Sequence, residues 1–294
     1  MKRCLSCDHQ FEAASWTCPS CNKTPEVVGS FHAFAPQLIS TKTAFDDQSF
    51  GDLAESEEES FWYVPRNNLI AWTLRKYFPK AKSFYEMGCG TGIVLKGLHD
   101  DNPQLQLTGS DIYTNGLDVA KERMGDNVQE LFQTDAHGIP FREQFDVVGA
   151  FDVIEHIDDD VGAMHELLMT VKPGGGAIFM VPRHMFMWSI FDDLACHKIR
   201  YGSRQFQERV KQAGFEIVRT FSFGALTLPL QFWSRKILQR FRKGDKMADY
   251  LELKVSPFTG FVLRLLLEID QIPVRMGVNY PFGATLVVVA KKPD

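Results

Sequence analysis

SFYEMGCGTG, residues 83–92, compresses an apolar run, an acid and the glycines Gly88, Gly90 and Gly92 into one short stretch. That order predicts a β-strand, a tight turn and a helix start. Glycine is required where the backbone takes positive φ or where a ligand lies directly against it, and here every second residue from Gly88 is one. The following residues place Ile93, Val94 and Leu98 at helical spacing, so a helix N-terminus points at the loop and favours a carboxylate or phosphate there. A bound molecule with an anionic end is expected on the loop.

Glycine turns of this kind also serve dinucleotides, so the neighbouring residues decide the reading. Glu86 stands two positions before the first glycine, where it would repel a pyrophosphate and hold a positively charged amino group. That favours a zwitterionic amino-acid moiety. Asp111 closes the next apolar strand, LQLTGSD, about twenty residues on, where an acid can accept both hydrogen bonds of a ribose diol. After a third strand, VQELFQ, the pair Asp135-Ala136 suits the edge of an adenine ring. A fourth strand, FDVVGAF, leads into DVIEHIDD.

In this ordered set the chain resembles the class I S-adenosylmethionine-dependent methyltransferases, in the branch of ubiquinone-type O-methyltransferases, over roughly residues 61–294. The resemblance implies that Glu86, Gly88, Gly90 and Gly92 hold the methionine end of the cofactor, Asp111 the ribose, and Asp135 with Ala136 the adenine. Cys89, Ile112 and Phe151 complete the expected cofactor contacts, Cys89 as a small residue inside the loop. The reaction expected is methyl transfer from S-adenosylmethionine to a small-molecule or lipid-precursor acceptor, on oxygen.

The remaining strands fit the same architecture. KPGGGAIFMVP reads as a fifth strand, SRQFQERVKQAG as a helix capped by Ser203 and stopped by Gly214, FEIVRTFSF as a sixth strand and ATLVVVAKK as a seventh. Alternating strands and helices predict an α/β fold: a Rossmann-like doubly wound sheet with an antiparallel seventh strand. A helix is expected in FWYVPRNNLIAWTLRKYF with Asn67 as its cap. Phe61, Trp62 and Tyr63 either close over the ligand or belong to the core.

At the other end of the chain, Cys4-x-x-Cys7 and Cys18-x-x-Cys21 have zinc-ribbon spacing. Residues 1–24 are too few to build a core, so structural zinc, contributing on the order of 10–16 kcal/mol in such sites, is expected to hold them. Phe11 and Trp16 are expected to pack beneath the ribbon, with the catalytic domain folding independently. Residues 25–60 read as an acidic connector whose AESEEES run is a solvated face.

The net charge of −5 and pI near 5.9 give no overall attraction for nucleic acid. No secretory segment follows Met1-Lys2-Arg3 and no apolar run reaches membrane-spanning length, which predicts a cytoplasmic protein. An RNA methyltransferase using the ribbon for docking is the first alternative, since certain ribosomal RNA guanine methyltransferases also carry a zinc site. Against it, Lys2, Arg3 and Lys23 are balanced by Asp8, Glu12 and Glu26. A non-catalytic protein that binds the cofactor and recruits a partner is the second.

For catalysis, His156 after strand four and His197 after strand five are the candidate bases, with Asp192 or Asp193 able to orient His197. Asp152, Glu155 and His156 also resemble the carboxylate, carboxylate, histidine set that binds a divalent ion in some quinone-precursor methyltransferases, with Asp152 where a glutamate is usual. The match is partial, so the resemblance allows Mg2+ without requiring it. Finally, the insertion 224–280 is longer than a hairpin needs. Leu230, Trp233, Ile237 and Phe241 recur beside Arg235, Lys236, Arg240, Arg242 and Lys243, the pattern of a basic amphipathic helix. A second helix follows with Phe258, Phe261, Val262, Leu265, Leu266 and Ile269 on one face, and Leu263 and Leu267 elsewhere; it should be buried on several sides. Residues 228–270 thus read either as a substrate lid or as a peripheral contact with the inner membrane surface that reaches a lipid-linked acceptor.

Overall fold

A computed structural model describes residues 1–39, 54, 57, 58, 60–236 and 255–293. Its centre is a sheet of nine strands among the described residues, in the spatial order β10-β11-β9-β8-β5-β6-β7-β4-β3. Five parallel strands form its heart: β5 (Ser83–Met87), β6 (Gln106–Asp111), β7 (Glu130–Gln133), β8 (Phe145–Phe151) and β9 (Val171–Pro182). β11 (Thr285–Lys291) lies antiparallel between β9 and β10 (Glu216–Phe223), as the seventh-strand expectation required.

The central strands read as near-continuous apolar runs because both faces of the sheet are covered. Val147, Phe151, Ile178, Met180, Val287 and Val289 point to one side, against α1 (Tyr63–Tyr77), α2 (Ile93–Asp101) and α3 (Thr114–Met124). Their neighbours Val148, Ala150, Phe179, Val181, Leu286 and Val288 point to the other, against α4 (Asp160–Thr170) and, past the short α5 (Ile190–Leu194), α6 (Ser203–Gln212). The period-two alternation thus feeds two apolar cores, one on each face.

The N-terminal region departs from its reading as an appendage and a connector. β1 (Lys2–Arg3) and β2 (Gln10–Phe11) form the ribbon hairpin, but β3 (Glu26–Val28) and β4 (Phe31–Ala33) extend the main sheet, β4 running parallel to β7. Phe11 stays with the cysteines, whereas Trp16 inserts into the second core, its ring 4.8 Å from Phe34 and 5.4 Å from Phe141. The indole Nε1–H donates to Glu130 at 2.7 Å, and Arg3 and Arg142 both grip Glu166. The connection 134–144 between β7 and β8 contains no helix, so the ribbon covers the sheet face that a crossover helix would otherwise cover.

The acidic run is likewise not all solvated. Glu57 is buried because the Thr91 hydroxyl and the Arg123 guanidinium both donate to its Oε2, at 2.6 and 2.8 Å. The other acids between Asp46 and Glu59, Glu58 excepted, lie outside the described residues. Nor does Asn67 cap α1. Ser60 Oγ accepts the Trp62 amide at 3.2 Å, and Asn67, inside the helix, donates to the Ile93 carbonyl. Phe61 and Trp62 pack on the core, Trp62 with its ring 5.3 Å from Phe223.

The insertion begins where β10 ends. Phe223 aligns with Thr285 and, through it, with Pro182, so the insertion leaves the same edge of the sheet as the loops after β5, β8 and β9. It contains α7 (Leu228–Lys236) and α8 (Pro257–Arg275); Ile237, Arg240, Phe241, Arg242 and Lys243 fall outside the described residues. The expected burial of α8 is reversed. Leu267, Asp270, Gln271 and Val274 face inward, while Phe258 and Phe261 are 77% and 65% exposed, with Leu265 and Ile269 also exposed. Polar anchors fix this orientation: the Asp270 carboxylate accepts the amides of Gly224 and Leu226 at 2.7 and 3.0 Å, and Gln271 donates to the Pro65 carbonyl. Burying a carboxylate without such partners would cost more than exposing the phenylalanines.

Candidate active site

The glycine loop is held from behind by β6. Ser110 O accepts the amides of Gly88 and Cys89, and Asp111 Oδ2 accepts that of Gly90 at 2.8 Å. Asp111 Oδ1 takes the Tyr113 amide at 3.0 Å, leaving each oxygen a further lone pair. Gly88 and Gly92 have φ of +71° and +74°; a Cβ at Gly88 would run into Val153, and one at Gly92 would stand 2.9 Å from Ala120. Cys89 turns into the core, contributing packing to the loop. Glu57 and Arg123 clamp the loop's Thr91 from outside, a contact no local pattern announces.

Glu86, at the end of β5, is buried and its Oε2 has no hydrogen-bond partner among the described residues. Burial pushes its carboxyl well above the usual range, so its charge calls for a cation beside it. Near it lies Arg66 of α1, unremarked in the sequence. Its Nη2 donates to Asp152 at 2.7 Å, its guanidinium stacks 5.8 Å from the Phe151 ring, and its buried Nε is unpartnered among the described residues. An unpaired acid and a partly paired guanidinium beside one glycine loop complement an ammonium and a carboxylate. Asp135 follows β7 half-exposed, Ala136 packs on the second core, and Ile112 is tied through its carbonyl to Gln133. The register Asp111 to Gln133 brings the expected ribose and adenine residues to adjacent strand ends.

Across the same edge, His156 and His197 stand together with ring centroids 4.8 Å apart. Asp192, of the two candidates, orients His197: its Oδ1 contacts Nδ1 at 2.8 Å and accepts Arg200 Nε at 2.6 Å. Asp193 instead accepts from Trp188. Burial, then the neighbouring His197, lowers His156 to about 4, which keeps it neutral. Glu155 joins them, fully buried, Oε1 3.8 Å from His197 Nε2, and burial followed by the charge of Asp152 pushes its carboxyl well up. Asp152 is not part of this cluster, because Arg66 holds it, so the partial magnesium set of Asp152, Glu155 and His156 does not assemble.

At the ribbon, Cys4, Cys7, Cys18 and Cys21 converge, with Sγ separations of 3.6 Å (Cys4 to Cys21) and 3.7 Å (Cys7 to Cys18). Tetrahedral Zn–S bonds of about 2.3 Å place sulfurs at about this spacing. The four thiolates fit one zinc ion.

Residues 85–179 match the family described as a methyltransferase domain. The chain carries a class I methyltransferase domain. Within it, 102 residues are 31% identical to a ubiquinone biosynthesis O-methyltransferase of Erwinia tasmaniensis, covering 33% of this chain and 41% of that protein. A ubiquinone/menaquinone biosynthesis C-methyltransferase of Desulfotalea psychrophila is 29% identical over 101 residues, 34% of this chain and 41% of its own. The match therefore spans about two fifths of these relatives' length. Among solved structures, the Haemonchus contortus phosphoethanolamine N-methyltransferase 2 in complex with S-adenosyl-L-methionine superposes with a TM-score of 0.58 at 20% identity, over 86% of this chain and 59% of that one. The cyclase SpnF superposes with 0.53 at 20% identity, over 79% and 83%. These likenesses show that the methyltransferase domain has this fold.

Proposed function

We propose that the chain transfers a methyl group from S-adenosylmethionine to an oxygen of a small-molecule or lipid-precursor acceptor. The observation that carries the reading is the pairing, on one sheet edge, of the cradle Glu86, Gly88–Gly92, Asp111 with Arg66 and the cluster Glu155, His156, His197. Glu86 takes the cofactor's ammonium, Arg66 its carboxylate, Asp111 its ribose diol, and Asp135 with Ala136 its adenine. The acceptor hydroxyl faces the histidine cluster, which draws off its proton; the oxygen–carbon bond forms as the carbon–sulfur bond breaks, and the sulfonium leaves as a neutral thioether. Alignment of oxygen, carbon and sulfur supplies most of the acceleration.

The exposed side of the insertion supports an acceptor with a long apolar chain. Trp233 is 51% exposed, Leu230 and Phe232 are exposed on the same helix, and α8 adds further outward apolar side chains. Arg235 and Lys236 flank it, and Arg240, Arg242 and Lys243 follow in the sequence. No described helix is long and apolar enough to cross a membrane. The arrangement suits peripheral contact with an anionic membrane surface from the cytoplasmic side. Zinc at the four cysteines is structural in this reading.

The test is calorimetry with S-adenosylmethionine and its demethylated product, followed by incubation of extracts with methyl-labelled cofactor. Binding and a labelled ether product are expected. Label on nitrogen or carbon would overturn the choice of oxygen, and no heat with either ligand would overturn the cofactor assignment.

A further inference from the structure

We propose that Glu155, His156 and His197 form a second metal centre, for a first-row divalent transition ion and not for magnesium. One ligand atom from each of the three lies within 4.8 Å of the others, close enough to share one ion after a small contraction. The set contains two imidazoles and one carboxylate, the donor mixture that suits zinc, iron(II) or cobalt(II), whereas magnesium prefers oxygen ligands and retained water.

Two further features set these residues apart from an ordinary buried cluster. Both Glu155 oxygens are fully buried without a hydrogen-bond partner among the described residues, a costly condition for a carboxylate that an ion between it and the imidazoles would relieve. One imidazole is also braced from outside. His197 contacts Asp192 through Nδ1, Asp192 is locked by Arg200 and Ser189, and this leaves Nε2 directed at Glu155. His156 stands against it, with its ring centroid 4.8 Å from that of His197. An outer carboxylate on a histidine, as Asp192 is on His197, is the arrangement that fixes tautomer and orientation in metal sites.

The inference rests on the proposed function only for where the acceptor docks. Three protein ligands leave open positions, and with both imidazoles engaged the ion, rather than a free histidine, would acidify a hydroxyl bound beside it and so carry the proton step assigned to the cluster.

The test uses the full chain, stripped by dialysis against a chelator and titrated with Co2+ while spectra and ion content are followed. Wild type should take up two ions per chain, one with intense thiolate charge-transfer bands from the ribbon and one with weaker ligand-field bands only. His156→Ala combined with His197→Ala should keep the thiolate bands and bind a single ion. Asp192→Asn should weaken the second ion about 10–100-fold and leave the first unchanged. Millimolar Mg2+ should displace neither. A single thiolate-bound ion in wild type, a second ion surviving in the double variant, or displacement by Mg2+ would each overturn the proposal. Calorimetry with S-adenosylmethionine on the same samples shows whether each variant is folded. A second ion in a chain that methylates only nitrogen or carbon would refute the oxygen reading and leave the metal centre standing.

Discussion

Replacing Trp16 with Ala tests whether the ribbon is part of the methyltransferase core. The indole is buried, packs edge-on against Phe34 and Phe141, and lies 4.4 Å beneath the Lys2 ammonium. Truncating a buried Trp costs about 3–5 kcal/mol in lost transfer energy and residual cavity. The orphaned Glu130 adds little, because its side chain is 27% exposed and can be rehydrated. Against a total stability of about 5–15 kcal/mol, this is a large fraction. The assay is urea unfolding of the zinc-loaded chain followed by circular dichroism, where the midpoint should fall by more than about 1 M. Trp16→Phe should recover most of the loss. A ribbon that merely hangs on a linker would give a surface-like change within about 0.5 kcal/mol. An unchanged midpoint with unchanged zinc content would refute the integrated packing.

The other predictions concern the site and the insertion. Arg66→Ala should weaken S-adenosylmethionine binding about 10–100-fold, the equivalent of one charge-assisted hydrogen bond, and Asp111→Ala should weaken it at least as much while loosening the loop; equal calorimetric affinities would contradict both roles. With an acceptor identified, His156→Ala and His197→Ala should each lower kcat by about 10²–10⁴-fold and leave cofactor affinity nearly unchanged. Full turnover in both would mean that alignment alone drives the transfer. The chain should co-sediment with anionic but not neutral vesicles, less so in high salt and with Lys236→Glu plus Arg240→Glu. No sedimentation at low salt would reduce the insertion to a lid for a water-soluble acceptor.

What could be read from the sequence was whatever is written locally. The glycine loop, Glu86, Asp111 and the two CxxC knuckles are short patterns with one physical purpose each, and the structure assembles them at one strand end and one ribbon. What escaped was long-range polar pairing. Arg66 meets Asp152 across 86 positions and Arg123 meets Glu57 across 66, so neither the loss of the magnesium set nor the burial of an acid from a charge run has a local signal. The outward face of α8 was misjudged because apolar periodicity weighs six large side chains, whereas Asp270 and Gln271, the residues that orient the helix, look like solvent-facing polar positions. His197 and Glu155 were legible as residue types; their proximity was not.

The ribbon's place over β7 also constrains how the sheet edge is closed during folding. Trp16 and its partner Glu130 are 114 positions apart, so the contact closes a long loop and forms late unless one side is already rigid. Zinc, bound at the four cysteines as proposed, would give the ribbon that rigidity before it docks. Until it docks and β4 pairs with β7, the amides and carbonyls of β7 stand open, beside the apolar side chains of Leu131 and Phe132. An open strand edge of that kind recruits other chains. With zinc so bound, its supply would govern the yield of folded protein as well as the stability of the finished fold, and metal-starved chains are expected to be lost to aggregation through β7.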